Sequence, residues 1–150
     1  MERAQFSSAD FAKVPAAAVA EQPAVLIDQQ VCRPDGNAGD SAFSLERQHF
    51  VRAVKLPSRA ISMTLGGLKP GQATRKHRHN YETLIYVVQG CGMSIIGEQE
   101  VPWRAGDAFY VPVWAWHQHH NTSDTDEALY VACENAPLLQ NLGAAVREEA

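Results

Sequence analysis

"GQATRKHRHNYETLIYVVQG", residues 71–90, is the stretch on which the reading of the chain turns. It closes in a run rich in Thr, Ile, Tyr and Val, residues that suit a pleated, half-buried surface. Ahead of that run stands His77-Arg78-His79. Alternate side chains of a strand share a face, so His77 and His79 point together. Thr83, Ile85 and Val87 keep the same phase if the strand is regular. Paired imidazoles continued by apolar residues favour a metal site over a surface pair, and neutral imidazole suits iron, zinc, copper or nickel. The position four residues beyond His79, where a carboxylate would complete the grip, holds Thr83. Its neighbour Glu82 falls on the opposite face, in reach of an outer salt bridge, and only a β-bulge would turn it inward.

A second histidine cluster lies in "GDAFYVPVWAWHQHHN", residues 106–121. Gly106 opens a turn, Pro112 marks the break where one strand ends, and His117 begins another. His117 and His119 share a face, while His120 points away as a surface residue. His49 has no companion that the sequence reveals.

Around these clusters the chain reads as β from Phe50 onward. "FVRAVKL", "AISMTLGGL", "TLIYVVQG", "GMSIIGEQ", "DAFYVPV" and "ALYVACE" are short Val-, Ile- and Tyr-rich runs punctuated by Gly, Pro, Asn or Asp. Such spacing predicts a sandwich or small barrel rather than alternating βαβ units. Met93 and Ile95 are expected to line the interior. Trp103, Trp114 and Trp116 read as core or interface residues. Leu138, Leu139 and Leu142 have helical spacing, followed by a charged end expected to fray. Residues 1–23 read as an Ala-rich arm with a short helix near Ser8–Lys13, and "RPDGNAGDS" reads as a loop or hairpin tip.

The 150 residues suit a single domain, taken as 24–150 with the metal-site core at 71–121. A formal charge of −4 gives no reason to expect a nucleic-acid partner or an anionic membrane surface. Cys32, Cys91 and Cys133 are far apart and odd in number, which predicts free thiols and a reducing, cytoplasmic setting. No apolar run reaches the length that spans a bilayer.

The two histidine clusters together resemble the paired motifs of the cupin superfamily. Gly71, His77, His79 and Gly90 fall in register with its first motif, with Thr83 in place of Glu. Gly106, Pro112, His117 and Asn121 fall in register with its second, with Trp114 in place of a glycine. The resemblance implies an all-β double-stranded β-helix, or jelly-roll barrel, with short helical or irregular ends and a hairpin between the motifs. It also implies metal ligands His77, His79 and His117, near the mouth of the barrel, and pairing of copies into a homodimer or higher homo-oligomer. From His77 to Glu149 the chain is similar to the C-terminal cupin half of gentisate, salicylate and hydroxynaphthoate dioxygenases, whose sites hold three histidines without the glutamate. That similarity implies Fe(II), with zinc, nickel, manganese or copper as the other metals such histidines accept. It further implies dioxygen and a small hydroxylated aromatic acid as reactants. Those enzymes carry two cupins in one chain, and here one is read.

Three neutral imidazoles leave Fe(II) near its full charge, which favours an anionic substrate. Arg75, in strand phase with His77, and Thr83 are the candidates for substrate contact. His119, on the ligand face, is the candidate proton shuttle or supporting donor. Two other readings fit the same residues. One is a dioxygenase of small dicarbonyl compounds. The other is a metal-binding cupin without oxygenase activity, serving as a small-molecule binder, isomerase or accessory protein.

Overall fold

The computed structural model describes residues 23–27 and 41–150. Nearly all of the expected arm, the helix near Ser8–Lys13, Cys32 and most of the turn-rich stretch from Arg33 lie outside the described residues. The fold is the expected jelly roll of two five-stranded antiparallel sheets. The first sheet has the order β1 (Phe50–Ala53), β2 (Ser62–Leu68), β9 (Ala128–Glu134), β4 (Thr83–Gln89), β7 (Ala108–Val111). The second runs β10 (Arg147–Glu149), β3 (His77–His79), β8 (His117–Asn121), β5 (Cys91–Ile96), β6 (Gln99–Arg104). The hairpin β5–β6 occupies the interval between the two motifs. Helix α1 (Ser41–Arg47) precedes β1 and helix α2 (Ala136–Asn141) follows β9. No helix among the described residues is long and apolar enough to cross a membrane.

Alternation explains what each strand buries. Along β4, Thr83, Ile85 and Val87 face inward while Leu84, Tyr86 and Val88 remain exposed. Along β9, Ala128, Tyr130 and Ala132 face inward. These residues join Leu68, Ile96, Trp103 and Val111 in one core between the sheets. Burying a side chain of this size contributes about 1.5–3 kcal/mol. The polar inner residues gather where β4 begins, β8 begins and β9 ends, and there the barrel holds a cavity.

Three features of the structure differ from the sequence reading. His77 through Val87 is not one strand: β3 belongs to the second sheet and β4 to the first, with the chain crossing at residues 80–82. Thr83 keeps its inward phase across that corner, and Glu82 stays outside, accepting a hydrogen bond from Tyr110 Oη at 3.0 Å. Met93 and Ile95 face outward, and Gly92, Ser94 and Ile96 face in. The reason is close packing at Gly92, where a Cβ would collide with the Trp103 ring and the His120 carbonyl. Only glycine lets that indole fill the interior.

The third difference is the charged C-terminal end, which is a strand. Arg147, Glu148 and Glu149 pair with His79, Arg78 and His77. Asn80 fastens the approach: its Nδ2 donates to Ala144 O at 2.7 Å and its Oδ1 accepts from Val146 N at 2.8 Å. Alternation then places Arg147 and Glu149 on one side and Glu148 on the other, against Arg78. Arg78 also lies over the rings of Trp114 and Trp116, at 4.4 and 4.6 Å, so these two tryptophans brace the outside of β3.

Candidate metal centre

His77 and His117 are direct cross-strand neighbours of β3 and β8, and His79 lies two residues along the same face. Their rings approach to 4.1 Å for His77–His117 and 4.8 Å for His79–His117. One donor nitrogen from each of the three lies within 4.8 Å of the others. The three can hold a metal ion, and no carboxylate oxygen of the described residues joins the cluster.

The backbone fixes which nitrogen is free. His77 Nδ1 meets Arg75 O at 2.8 Å, His79 Nδ1 meets Tyr81 O at 2.8 Å, and His117 Nδ1 meets Ala115 O at 2.9 Å. A carbonyl only accepts, so each Nδ1 carries the proton and donates. Each Nε2 is therefore left with its lone pair, the form that ligates a metal. The donor set fits a resident metal ion. Trp114, at the second motif's missing glycine, adopts φ 62° and donates its N–H to His79 O at 2.7 Å. A bulky residue in that left-handed region is strained, and its stack on Arg78 helps hold it there.

Burial keeps the cluster neutral. Desolvation, reinforced by His117, lowers the His79 pKa to about 4, and desolvation lowers that of His117 to about 4. His77 is depressed further by burial and by His117. Burial also depresses His49 and, strongly, His119. The unfolded chain titrates its histidines near pH 6.5. Below that value the unfolded chain binds protons that the folded chain refuses, so folding stability is lost as pH falls from about 6.5 toward 4. Glu134, whose carboxyl is raised by burial, opposes this trend as a single group against several imidazoles. The metal-free protein should therefore melt about 10 °C lower at pH 5 than at pH 7.5. A melting temperature flat over that range contradicts the buried-neutral assignment.

His119 is buried on the ligand face but stands outside the three-histidine cluster. Trp103 Nε1 donates to Ser94 Oγ at 2.9 Å, and Ser94 Oγ lies 2.7 Å from His119 Nδ1. Ser94 has one proton, and with Trp103 as donor to its oxygen that proton goes to Nδ1. His119 therefore carries its own proton on Nε2. His120 turns outward as alternation requires, yet it is half-buried rather than a plain surface residue, its Nε2 making no hydrogen bond among the described residues. His49 has companions the sequence did not reveal: Nδ1 donates to Arg47 O at 2.9 Å, and Nε2 accepts from Tyr130 Oη at 3.0 Å.

Arg75 is held elsewhere. Its guanidinium meets Glu149 at 2.6 Å, and it does not line the cavity. The arginines that do are Arg47 of α1 and Arg147 of β10. Both reach the same Glu149 carboxylate, at 3.3 and 3.2 Å, so three guanidiniums share one carboxylate. Arg47 also meets Glu46 at 3.6 Å, so the two guanidiniums at the cavity wall are paired with Glu46 and Glu149. The Arg47 pKa is lowered by desolvation and by Arg147, as two facing cations require. Across the cavity stand Thr83 and Glu134, neighbours in the β4–β9 register, with Thr83 Oγ1 donating to Glu134 Oε1 at 3.1 Å. Between them and the imidazoles, the Tyr81 ring stacks flat on His79, with centroids 3.9 Å apart.

Arg47, Arg147 and Glu134 were not singled out from the sequence. The arginines join through tertiary contacts about a hundred positions apart. Glu134 had a readable signal, since it continues the inward phase of Ala128, Tyr130 and Ala132 in "ALYVACE".

Residues 65–133 match the family model described as a cupin domain. The chain is 36% identical over 83 residues to a 5-aminosalicylate 1,2-dioxygenase of Comamonas sp., covering 55% of this chain and 21% of that protein. It is 39% identical over 72 residues to gentisate 1,2-dioxygenase 1 of Aquipseudomonas alcaligenes, covering 45% of this chain and 20% of that one. The chain thus spans about a fifth of the length of these curated relatives. Among solved structures, the salicylate 1,2-dioxygenase of Pseudaminobacter salicylatoxidans superposes with a TM-score of 0.64 at 21% identity, over 70% of this chain and 32% of that one. A cupin 2 domain-containing protein of Halorhodospira halophila gives 0.54 at 20% identity, over 57% and 62%. At these identities the structural likeness speaks for the fold.

Proposed function

Because residues 65–133 form a cupin domain related to the gentisate and salicylate 1,2-dioxygenases, we propose that this chain is a non-haem Fe(II)-dependent dioxygenase that opens the ring of a small hydroxylated aromatic acid. One observation carries the reading: three Nε2 lone pairs share a cavity with two guanidiniums, and no carboxylate ligates beside them. Neutral imidazoles cancel none of a divalent ion's charge, and Arg47 and Arg147 stand in the same cavity wall as one carboxylate, Glu134. The pull of such an ion on an anion is strong in a cavity partly shielded from water. The site therefore favours an anion with a carboxylate for the guanidiniums and an adjacent oxygen for the metal. Iron bound there supplies the redox chemistry that joins an electron-rich ring to dioxygen.

The protein's own residues set the rest. Arg47 and Arg147 orient the carboxylate, and the core beneath Ile85 and Ala132 keeps water out. His119, fixed by Ser94, offers a hydrogen bond rather than a base. The cavity holds about 80 Å³ and opens to solvent. It is smaller than the roughly 150 Å³ of an engineered cavity that takes benzene. One ring extending to the opening suits it better than a fused pair. The same volume favours, as a second reading, a dioxygenase of small dicarbonyl anions. The free thiols of Cys91 and Cys133 and the oxidation-prone metal suit a cytoplasmic setting. Pairing of two copies is supported by the exposed Leu84, Tyr86 and Val88 on the outer face of β4.

The test is anaerobic loading with Fe(II), followed by oxygen uptake on gentisate, salicylate, 1-hydroxy-2-naphthoate, hydroquinone and acetylacetone. Uptake with a single-ring acid is the expected result. Uptake with acetylacetone alone selects the dicarbonyl reading. Silence on the whole panel with the metal retained selects a non-oxygenase cupin.

A further inference from the structure

Glu134 is a half-buried acid of the cavity wall that the proposed chemistry leaves idle. It ends β9 on the inner face and lines the same cavity as His77, His79 and His117. Its carboxylate stands outside the ligand cluster, so it is a neighbour of the metal position rather than a ligand. One oxygen, Oε1, accepts from Thr83 Oγ1. The carboxylate lines the cavity beyond that bond. The groups facing it are Thr83 and Tyr81 from the β4 side, Arg47 from α1 and Arg147 from β10.

We propose that Glu134 is a catalytic residue that takes the proton of the substrate hydroxyl as the substrate enters the site. The O–H bond breaks, the proton goes to a Glu134 carboxylate oxygen, and the electron pair stays on the substrate oxygen as a phenolate facing the imidazoles. No oxidant or reductant is consumed. The inference rests on the aromatic-acid reading and adds to it the group that generates the anion. Three features suit Glu134 to the task. Arg147 and Arg47, together with the Thr83 hydroxyl, favour its ionised form, so a base is available. Burial raises its proton affinity above that of an ordinary carboxylate, which makes it a better acceptor. Its cross-strand pairing with Thr83 ties that position to the acid. Where a glutamate would have been a ligand, the hydroxyl instead aims a carboxyl from the neighbouring strand.

The test uses Zn(II)-loaded protein, which binds without turning over, and 5-nitrosalicylate, a nitrophenol that colours on ionisation. Proton release is counted with an indicator in weak buffer at pH 7. The wild type should bind the coloured anion and release no proton, because Glu134 keeps it. Glu134→Gln, with one zinc still bound, should release one proton per ligand and bind about tenfold more weakly. Glu134→Asp should restore retention, which guards against a defect peculiar to the Gln variant. The proposal is overturned if wild type itself releases the proton, or if either the Gln variant matches wild type or the Asp variant matches Gln. Absence of 5-nitrosalicylate binding by the zinc-loaded wild type overturns the aromatic-acid reading as well, which separates the two failures.

Discussion

Replacing His117 by alanine should abolish metal retention and, with it, the proposed oxygen uptake. His117 is 2% exposed, is the direct cross-strand neighbour of His77, and has its Nδ1 committed to Ala115 O. No other described side chain can take its place. His119 is tied to Ser94, and no carboxylate stands in the cluster. Changes to groups that merely support a ligand already cost about 10–100-fold in metal affinity, so loss of the ligand itself should exceed about 100-fold. Metal content after dialysis, read beside the melting curve of the metal-free variant, separates loss of the ligand from loss of the fold. A variant that keeps one equivalent of iron contradicts the assignment.

Arg147→Ala should raise KM for aromatic acids about 10- to 100-fold, as expected when a charge-assisted hydrogen bond worth about 1.5–3 kcal/mol is removed. The neutral analogue hydroquinone should lose little affinity, since it offers nothing for the guanidinium to hold. Arg147→Lys should recover only part of the loss, because an ammonium cannot reproduce the planar fork. The change reaches beyond one contact. Arg147 helps hold Glu149, which in turn holds Arg47 and Arg75, and it lines the same cavity as Tyr81, which stacks on His79. Equal losses for acid and hydroquinone, measured by competition binding, would show that Arg147 only braces the site.

The contrast between these two residues tells what the sequence made legible. His77 and His79 could be paired because strand alternation is local: a spacing of two fixes a shared face whatever the rest of the chain does, while His117 joins them through the resemblance of the two clusters to the cupin motifs. The same rule placed Thr83 inward and Glu82 outward, although the strand breaks between sheets. It failed at Met93 and Ile95, where both phases of "CGMSII" look acceptable. The choice there was made by Trp103, a residue of the next strand that only a glycine could accommodate. The charged end looked like a fraying tail because nothing within "REEA" shows that β3 has an open edge to offer it. Local phase points Arg75 toward an anion, while the tertiary fold pairs it with Glu149 and turns Arg47 and Arg147 to the cavity.

The proposed reaction puts both atoms of dioxygen into an acidic aromatic ring. The measurement that tests it most directly is mass spectrometry of the product formed under 18O2 by the Fe(II)-loaded protein from the panel's best single-ring acid. A ring-opened product heavier by two 18O atoms is the predicted result. A product carrying one label or none, or unchanged substrate over a fully loaded site, would contradict it.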